Sequence, residues 1–363
     1  MNRDPAAKQH GLNGSGKPMN QSLEPLQGSL RQMLTWFLSP KSLGLEHDGE
    51  HAVHMVANNL AEGYRVLDSN LVQELATEIN IAGFNKLDYQ GDDADYLAPV
   101  VELGERVNGD IAEHVADFMI HGSIATLDYS RGWSDFDTFV IISKSTALDG
   151  RALTALRSKL LDAYAFLTAI DPLQHHGFIV CTEIDLHRYY EDTMPLAVLK
   201  KAKSYLASKT LRLNPAKNID RGRKILASRA QFFREAGETG VMKHHAYDGV
   251  YLQSHYRTTE NGLFQLKYLL GIGAIAPCYY RDAIGKPAYK KDAIEQVSPL
   301  LSEPSRAFLA STTHIRNEWP KRQEIPYEGN RIPEWFKEFV DPDYIVNLGK
   351  LLTELERLAE AQA

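Results

Sequence analysis

The amino-acid sequence predicts an α+β fold: a small mixed sheet flanked by helical segments, with an all-helical C-terminal domain. Three observations predict it. Runs of β-branched, aromatic and aliphatic residues that suit buried strands are confined to residues 115–186. On both sides of that stretch the apolar residues recur at helical spacing instead. Within it, residues 151–170 carry Leu153, Leu156, Leu160, Leu161, Tyr164 and Leu167 at helical spacing, so strand, turn, strand, helix and strand follow one another.

Taken in order, residues 1–25 are rich in Gly, Pro, Asn, Ser and Gln and predict a disordered arm. Residues 11–18 (GLNGSGKP) echo a phosphate-binding loop. No strand precedes them, however, and Pro18 stands where a Ser or Thr hydroxyl should meet magnesium, so they are set aside. Residues 26–95 are expected to be an N-terminal helical segment, with Leu30, Met33, Leu34, Trp36 and Phe37 near one face and Val53, Met55, Val56, Leu60 and Val66 near another. The acidic, Gly-containing residues 88–96 read as a loop.

The mixed core is expected over residues 96–212 and a helical, substrate-selecting domain over 213–363. Helix-period segments are expected at 196–206, 219–233, 247–269, 291–301, 305–317 and 343–361, punctuated by Gly, Pro or Asn. No internal repeat of fixed period is present.

Composition narrows the class. With 363 residues, 44% hydrophobic and 24% charged, the chain has the make-up of a soluble globular protein with a sizeable core. A net charge of −7 excludes the whole molecule as an electrostatic nucleic-acid binder. The only cysteines, Cys181 and Cys278, make neither a disulfide framework nor a thiolate zinc site, and fit a reducing compartment. Neither an apolar signal-peptide core nor a run of roughly 18–20 apolar residues occurs, so no membrane partner and a cytoplasmic location are expected.

Candidate chemistry centres on Asp135 and Asp137. Two apart on an expected strand, both carboxylates emerge on one face while Phe136 and Val140 turn to the core. Bare carboxylates about 4 Å apart repel by roughly 4 kcal/mol at an effective dielectric near 20. A strand gains nothing from that unless a cation lies between them. Magnesium takes hard oxygen ligands and commonly uses one or two carboxylates plus substrate phosphates. Upstream, the apolar run 116–121 ends at Gly122-Ser123. There a missing Cβ lets a bulky anion approach, and a hydroxyl and turn N–H groups can donate to phosphate. A third strand, 177–186, offers Glu183 and Asp185 as a third metal-binding and catalytic acid, and its residues do not separate the two.

His121-Gly122-Ser123, eleven residues, then Asp135-Phe136-Asp137-Thr138 resembles the signature of the DNA polymerase beta-like nucleotidyltransferase superfamily. The resemblance covers about a quarter of the chain, residues 115–190. It implies two Mg2+ ions, replaceable by Mn2+, on Asp135 and Asp137, with Glu183 or Asp185 helping to deprotonate an acceptor hydroxyl. It also implies that Gly122 and Ser123 contact a nucleoside triphosphate, ATP being the commonest, with Ser134 and Arg131 close at hand. Two departures weaken the triphosphate contact: His121 replaces an aliphatic residue, and the nearest arginine after Ser123 is Arg131.

Between Lys200 and Arg234 eleven basic residues face only Asp220. They are read as gripping the triphosphate or tracking an RNA acceptor, with Lys200, Lys201, Lys203 and Arg223 the expected phosphate contacts; the alternative is a solvated helix face. His175-His176 and His244-His245 are read as strand-entry or hydrogen-bonding residues rather than ligands, and Tyr247, Tyr251, Tyr256, Phe264 and Tyr268 as core.

The resulting expectation is a metal-dependent nucleotidyltransferase that moves a nucleoside monophosphate from a triphosphate to an acceptor hydroxyl and releases pyrophosphate. The acceptor is left open among a small molecule, a protein and RNA. The rival is a catalytically silent nucleotide-binding or regulatory module acting through its helical surfaces.

Overall fold

The computed structural model describes residues 23–71, 74–171, 177–191, 194–216, 219–245, 251–255, 263–319 and 343–362. Helix α1 (Glu24–Phe37) starts with Pro25 in its first turn, where the missing N–H costs nothing, and buries Gln27, Leu30, Leu34 and Phe37 at helical spacing. Helix α2 (Glu50–Ser69) lays Val53, Ala57, Leu60, Ala61, Tyr64 and Leu67 against it. The two helices approach so closely that a Cβ on Gly63 would lie 2.4 Å from Leu30 Cδ2.

Strand β1 (Thr77–Gly83) alternates buried Ile79 and Ile81 with outward Glu78 and Asn80, the period of a half-buried strand. The helical expectation for residues 26–95 is therefore corrected here: period two wins from Thr77 because the segment gains a hydrogen-bonding partner on each side. Helix α3 (Ala94–Arg106) begins within the expected loop.

Strand β2 (Val115–Ile120), helix α4 (Gly122–Thr126), strand β3 (Thr138–Ile142), helix α5 (Lys144–Ala147), helix α6 (Gly150–Ile170) and strand β4 (Ile179–Thr182) follow in the expected sequence of types. Asp149 caps α6 by accepting from the Arg151 and Ala152 N–H groups at 2.8 and 3.4 Å. A two-residue parallel pair, β5 (Tyr189–Tyr190) with β8 (Pro215–Ala216), flanks helix α7 (Leu196–Leu199), β6 (Lys203–Ser204) and β7 (Lys209–Leu213). The expected helix 196–206 thus ends early, because Lys203 and Ser204 are taken into the sheet between β1 and β2.

The six-stranded sheet has the order β4-β3-β2-β6-β1-β7, with β3–β4 and β6–β1 parallel and the other pairs antiparallel. One face packs on α1, α2, α3 and α6 through Phe118, Val140 and Val180. The other face carries Met119, Phe139, Ile141 and Cys181.

Beyond the sheet come α8 (Ile219–Thr239), a hairpin of β9 (Val241–His245) and β10 (Tyr251–His255), then α9 (Leu263–Ala283), α10 (Lys290–Val297), α11 (Glu303–Glu318) and α12 (Tyr344–Glu360). Among the described residues the C-terminal region is mainly helical, as expected; the hairpin departs from that, its strand β10 falling where residues 247–269 read as one helix. Leu226, Phe233, Leu309, Leu348 and Leu352 centre its own core, which also takes in Trp133 from the loop before β3. Each fully buried side chain of this size contributes about 1.5–3 kcal/mol. Trp133 thereby ties the helical region to the sheet.

No described helix is long and apolar enough to cross a membrane.

Candidate active site

β2 and β3 are antiparallel neighbours, so the end of the first lies beside the start of the second, with Ile120 opposite Thr138. The pairing continues one step outward, where the His121 N–H donates to the Asp137 carbonyl at 3.0 Å. Asp135 and Asp137 therefore sit just ahead of β3 rather than within it. The expected alternation survives: Asp135 and Asp137 are half-buried and Phe136 is fully buried between them.

Gly122 has φ +67, a left-handed conformation open to glycine, and a Cβ built there would lie 2.4 Å from Asp137 Oδ2. The missing side chain leaves room for that carboxylate. Gly122, Ser123, Ser134, Asp135 and Asp137 all line one cavity of about 540 Å3, within the range of small-molecule sites.

The segment carrying the acids is held on two sides. Toward the N-terminal helices, Tyr129 and Arg131 both donate to Asp93, at 2.6 and 3.1 Å, and the Arg131 guanidinium lies 5.2 Å from the Tyr96 ring centre. Toward α11, the Trp319 indole N–H donates to the Gly132 carbonyl at 3.1 Å, its ring lies 4.8 Å from that of Trp133, and Arg316 donates to the Asp128 carbonyl at 3.1 Å. Ser134 closes the turn by accepting from the Ser130 N–H at 2.8 Å.

The opposite wall comes from the helical region. Lys267 of α9, only 7% exposed, places its ammonium 2.5 Å from Asp135 Oδ1 and also on Asp171 Oδ2, a carboxylate fully buried at the end of α6. Burial pushes the Asp171 carboxyl up, Asp135 adds to that, and the Lys267 ammonium opposes it. Lys290, at the start of α10, and Arg316 also line the cavity. Burial pulls the Lys290 ammonium below its ordinary range, Arg316 adds to the shift, and Asp137 opposes it. Three basic side chains and two aspartates thus line one cavity, together with Trp133, Tyr268, Tyr279 and Tyr289.

Other expected site residues lie elsewhere. The parallel register puts Thr182 beside Ile142, so Glu183 follows the far end of β3, roughly 15–20 Å along the strand from Asp137. There Glu183 accepts from the Lys144 N–H at 2.6 Å. Asp185 is 2% exposed and accepts from Gln27 Nε2, Thr182 N and Thr182 Oγ1, each at 2.9 Å. Burial pushes its carboxyl up, and those donors oppose the shift. Neither acid lines the cavity, because the strand ends at Thr182, and a tight turn follows. The acid that shares the Lys267 ammonium with Asp135 is instead Asp171.

The expected phosphate contacts are likewise redistributed. Lys203 pairs with Asp88 at 3.1 Å, Lys201 with Asp292 at 3.3 Å, and Lys200 is exposed. Within the same run, Lys209 pairs with Asp117 at 3.4 Å and Arg212 with Glu78 at 2.9 Å. None of these, nor Arg131 or Arg223, lines the cavity, although Gly222 and Ile225 beside Arg223 do. Four of the eleven basic residues thus meet acids from other elements, which sequence order hides. Tyr268 belongs to the helical core and lines the cavity as well, accepting from Arg229 at 3.1 Å. Residues 1–22, His175, His176, Lys217, Tyr247 and Tyr256, and the side chains of His244, His245, Tyr251 and Phe264, lie outside the described residues.

Two signals for the missed residues were present in the chain. Asp171 ends α6, where the helix dipole disfavours an acid, and Lys267 is the one charge in the run 263–270. Comparison with protein-family models, curated proteins and solved structures finds no match.

The donor set suits a hard divalent cation: Asp135 and Asp137 bring carboxylate oxygens to one cavity, and Gly122 keeps side-chain carbon away from the second of them. Among the described residues no group of three or more His, Cys, Asp or Glu side chains is arranged to hold a metal ion.

Proposed function

We propose that the chain is a nucleotidyltransferase, moving a nucleoside monophosphate from a nucleoside triphosphate to an acceptor hydroxyl. The observation that carries this reading is the meeting of Gly122-Ser123 with Asp135 and Asp137 in one cavity, Gly122 being bare where Asp137 Oδ2 lies. In the reaction the acceptor oxygen gives up its proton to solvent and bonds to the α-phosphorus. The bond from that phosphorus to the α,β-bridging oxygen breaks, and pyrophosphate leaves with the electron pair.

Asp135 and Asp137 would hold Mg2+, which when bound supplies charge neutralisation at the phosphates and lowers the pKa of an oxygen it touches. Lys290 and Arg316 attract the triphosphate, whose charge grows on the leaving group as the bond breaks. Ser123 offers a hydroxyl donor at the same wall. Trp133 and Tyr268 supply flat apolar surface that excludes water and suits a base or a ring-bearing acceptor.

A cavity of about 540 Å3 with an apolar wall from α9 favours a small-molecule acceptor. An RNA acceptor would draw on the basic run from Lys200 to Arg234, in which Lys201, Lys203, Lys209 and Arg212 are already paired with Asp292, Asp88, Asp117 and Glu78.

The test is incubation of the protein with each α-labelled nucleoside triphosphate, Mg2+ and a cell extract, beside an Asp135→Ala/Asp137→Ala double variant. Label appearing in an acceptor with wild type alone is the expected result. Equal labelling by the double variant, or none by wild type together with no triphosphate binding, would overturn the proposal. An Asp137→Asn variant that keeps biological activity would favour the silent module.

A further inference from the structure

We propose that the end of the cavity remote from Lys267 is the acceptor subsite, and that it takes a small hydroxyl compound carrying a protonated amine, anchored by Asp282 and Glu191. This inference rests on the nucleotidyltransferase reading and names the substrate class of that same site. Helix α9 runs the length of the cavity, with Lys267, Gly271, Ala274, Ile275, Cys278 and Asp282 lining it at helical spacing. From the first of these to the last the helix rises by roughly 22 Å. The charge changes sign along that stripe. At one end Lys267 meets Asp135, and Lys290 acts on Asp137. At the other end Asp282 is joined by Glu191, the residue after β5. Between the two ends the stripe is apolar, and a Cβ on Gly271 would meet nothing within 4 Å, so the middle is open.

The two acids come from different elements and are fixed by backbone packing. Gly222 lets α8 close on the turn of α9 that carries Asp282, since a Cβ there would lie 2.7 Å from the Asp282 carbonyl oxygen. Glu191 accepts from the Leu196 N–H at 3.2 Å, at the start of α7, whose Val198 also lines the cavity. Burial and then the repulsion of Glu191 push the Asp282 carboxyl up to about 7, and Arg281 opposes them. Cys278 lies between the two fields: burial pushes its thiol up to about 12, Asp282 adds to that, and Lys290 opposes it. Two like charges in an apolar wall are relieved by a cation between them. A triphosphate is repelled from this end and drawn to the other, where Lys290 and Arg316 line the wall. An ammonium has the reverse preference. Having no lone pair, it anchors the acceptor and leaves the hydroxyl as nucleophile, and the apolar stretch suits the carbon body between them.

Isothermal titration calorimetry on the full-length chain tests the subsite, at mildly alkaline pH where Asp282 is ionised. The probe is trans-4-aminocyclohexanol, which sets an ammonium and a hydroxyl across an apolar ring; trans-1,4-cyclohexanediol is the uncharged control. Wild type should bind the amine about tenfold or more tightly than the diol. Asp282→Asn and Glu191→Gln should each reduce that preference to within about threefold, and leave triphosphate binding equally little changed. Equal affinities on wild type, or a preference that survives both substitutions, overturns the inference. In the cell-extract assay, blocking primary amines with acetic anhydride beforehand should abolish acceptor labelling. Undiminished labelling of the blocked extract overturns the inference and leaves the nucleotidyltransferase reading standing. No triphosphate bound by wild type, with no label transferred, overturns both.

Discussion

Gly122 and Asp137 occupy one another's space: with φ +67 at the glycine, a Cβ there would come within 2.4 Å of the aspartate's Oδ2. An alanine at 122 would meet both a strained backbone, worth about 1–3 kcal/mol, and the carboxylate itself. Gly122→Ala is expected to lower label transfer by about a hundredfold or more, since displacement by a fraction of an ångström from reacting geometry is costly. The unfolding midpoint should fall by only a few degrees. Rate assays and thermal melts on the purified variant measure the two effects separately. Unchanged transfer would remove Gly122 from the site.

Lys290 and Arg316 are assigned to the triphosphate, so their loss should appear first in KM. A hydrogen bond to a charged group is worth about 1.5–3 kcal/mol, which corresponds to roughly 10–150-fold. Lys290→Met and Arg316→Met should each raise KM for the triphosphate within that range. Steady-state kinetics at saturating acceptor measure this. Arg316 also donates to the Asp128 carbonyl, so its variant should be the less stable of the two.

Asp185 and Glu183 are expected to matter for the fold alone. Asp185→Ala would strand the donors of Gln27 and Thr182 in a buried pocket and should cost about 3 kcal/mol or more by chemical denaturation. Glu183→Gln, at the α5 N-terminus, should leave transfer within about threefold of wild type, because the side chain lies roughly 15–20 Å from Asp137. A large kinetic loss in Glu183→Gln would restore it to the catalytic set.

Asp282 lies in the cavity wall with its carboxyl pushed up to about 7, chiefly by burial, then by Glu191, with Arg281 opposing. Its proton is held more tightly in the folded than in the unfolded chain. The folded state is therefore favoured below the unfolded carboxyl range and loses that advantage as pH rises through about 7. Asp282→Asn should remove this slope and raise stability above pH 7 by on the order of 1–2 kcal/mol. Denaturation at a series of pH values from acid to alkaline, on both proteins, reads the difference.

Much of the fold was legible because it is local. Strand β2, the turn at Gly122, strand β3 and helix α6 each carry their own signal: a short apolar run, a glycine that ends it, β-branched residues, a capped 3.6-residue period. The strands that escaped notice are those whose identity depends on neighbours. β6 is two residues long and exists because β1 and β2 flank it. β7 alternates over only five residues within a basic run, and its cations are balanced by Glu78 on β1 and Asp117 on β2.

The same division runs through the site. Gly122, Ser123, Ser134, Asp135 and Asp137 lie within sixteen positions of one another, so hairpin-like pairing of β2 with β3 was enough to join them, and residue type and spacing were sufficient to find them. The charges that complete the cavity come from more than a hundred positions downstream: Lys267, Lys290 and Arg316 reach it only because α9, α10 and α11 pack over the end of the sheet. Chain order by itself determined the acid pair and its glycine, since neighbouring strands must share an end. Which cations oppose them, and which acid joins Asp135, was decided by packing. A buried charge is stable only where the folded chain brings it an opposite one, and that meeting has no sequence spacing.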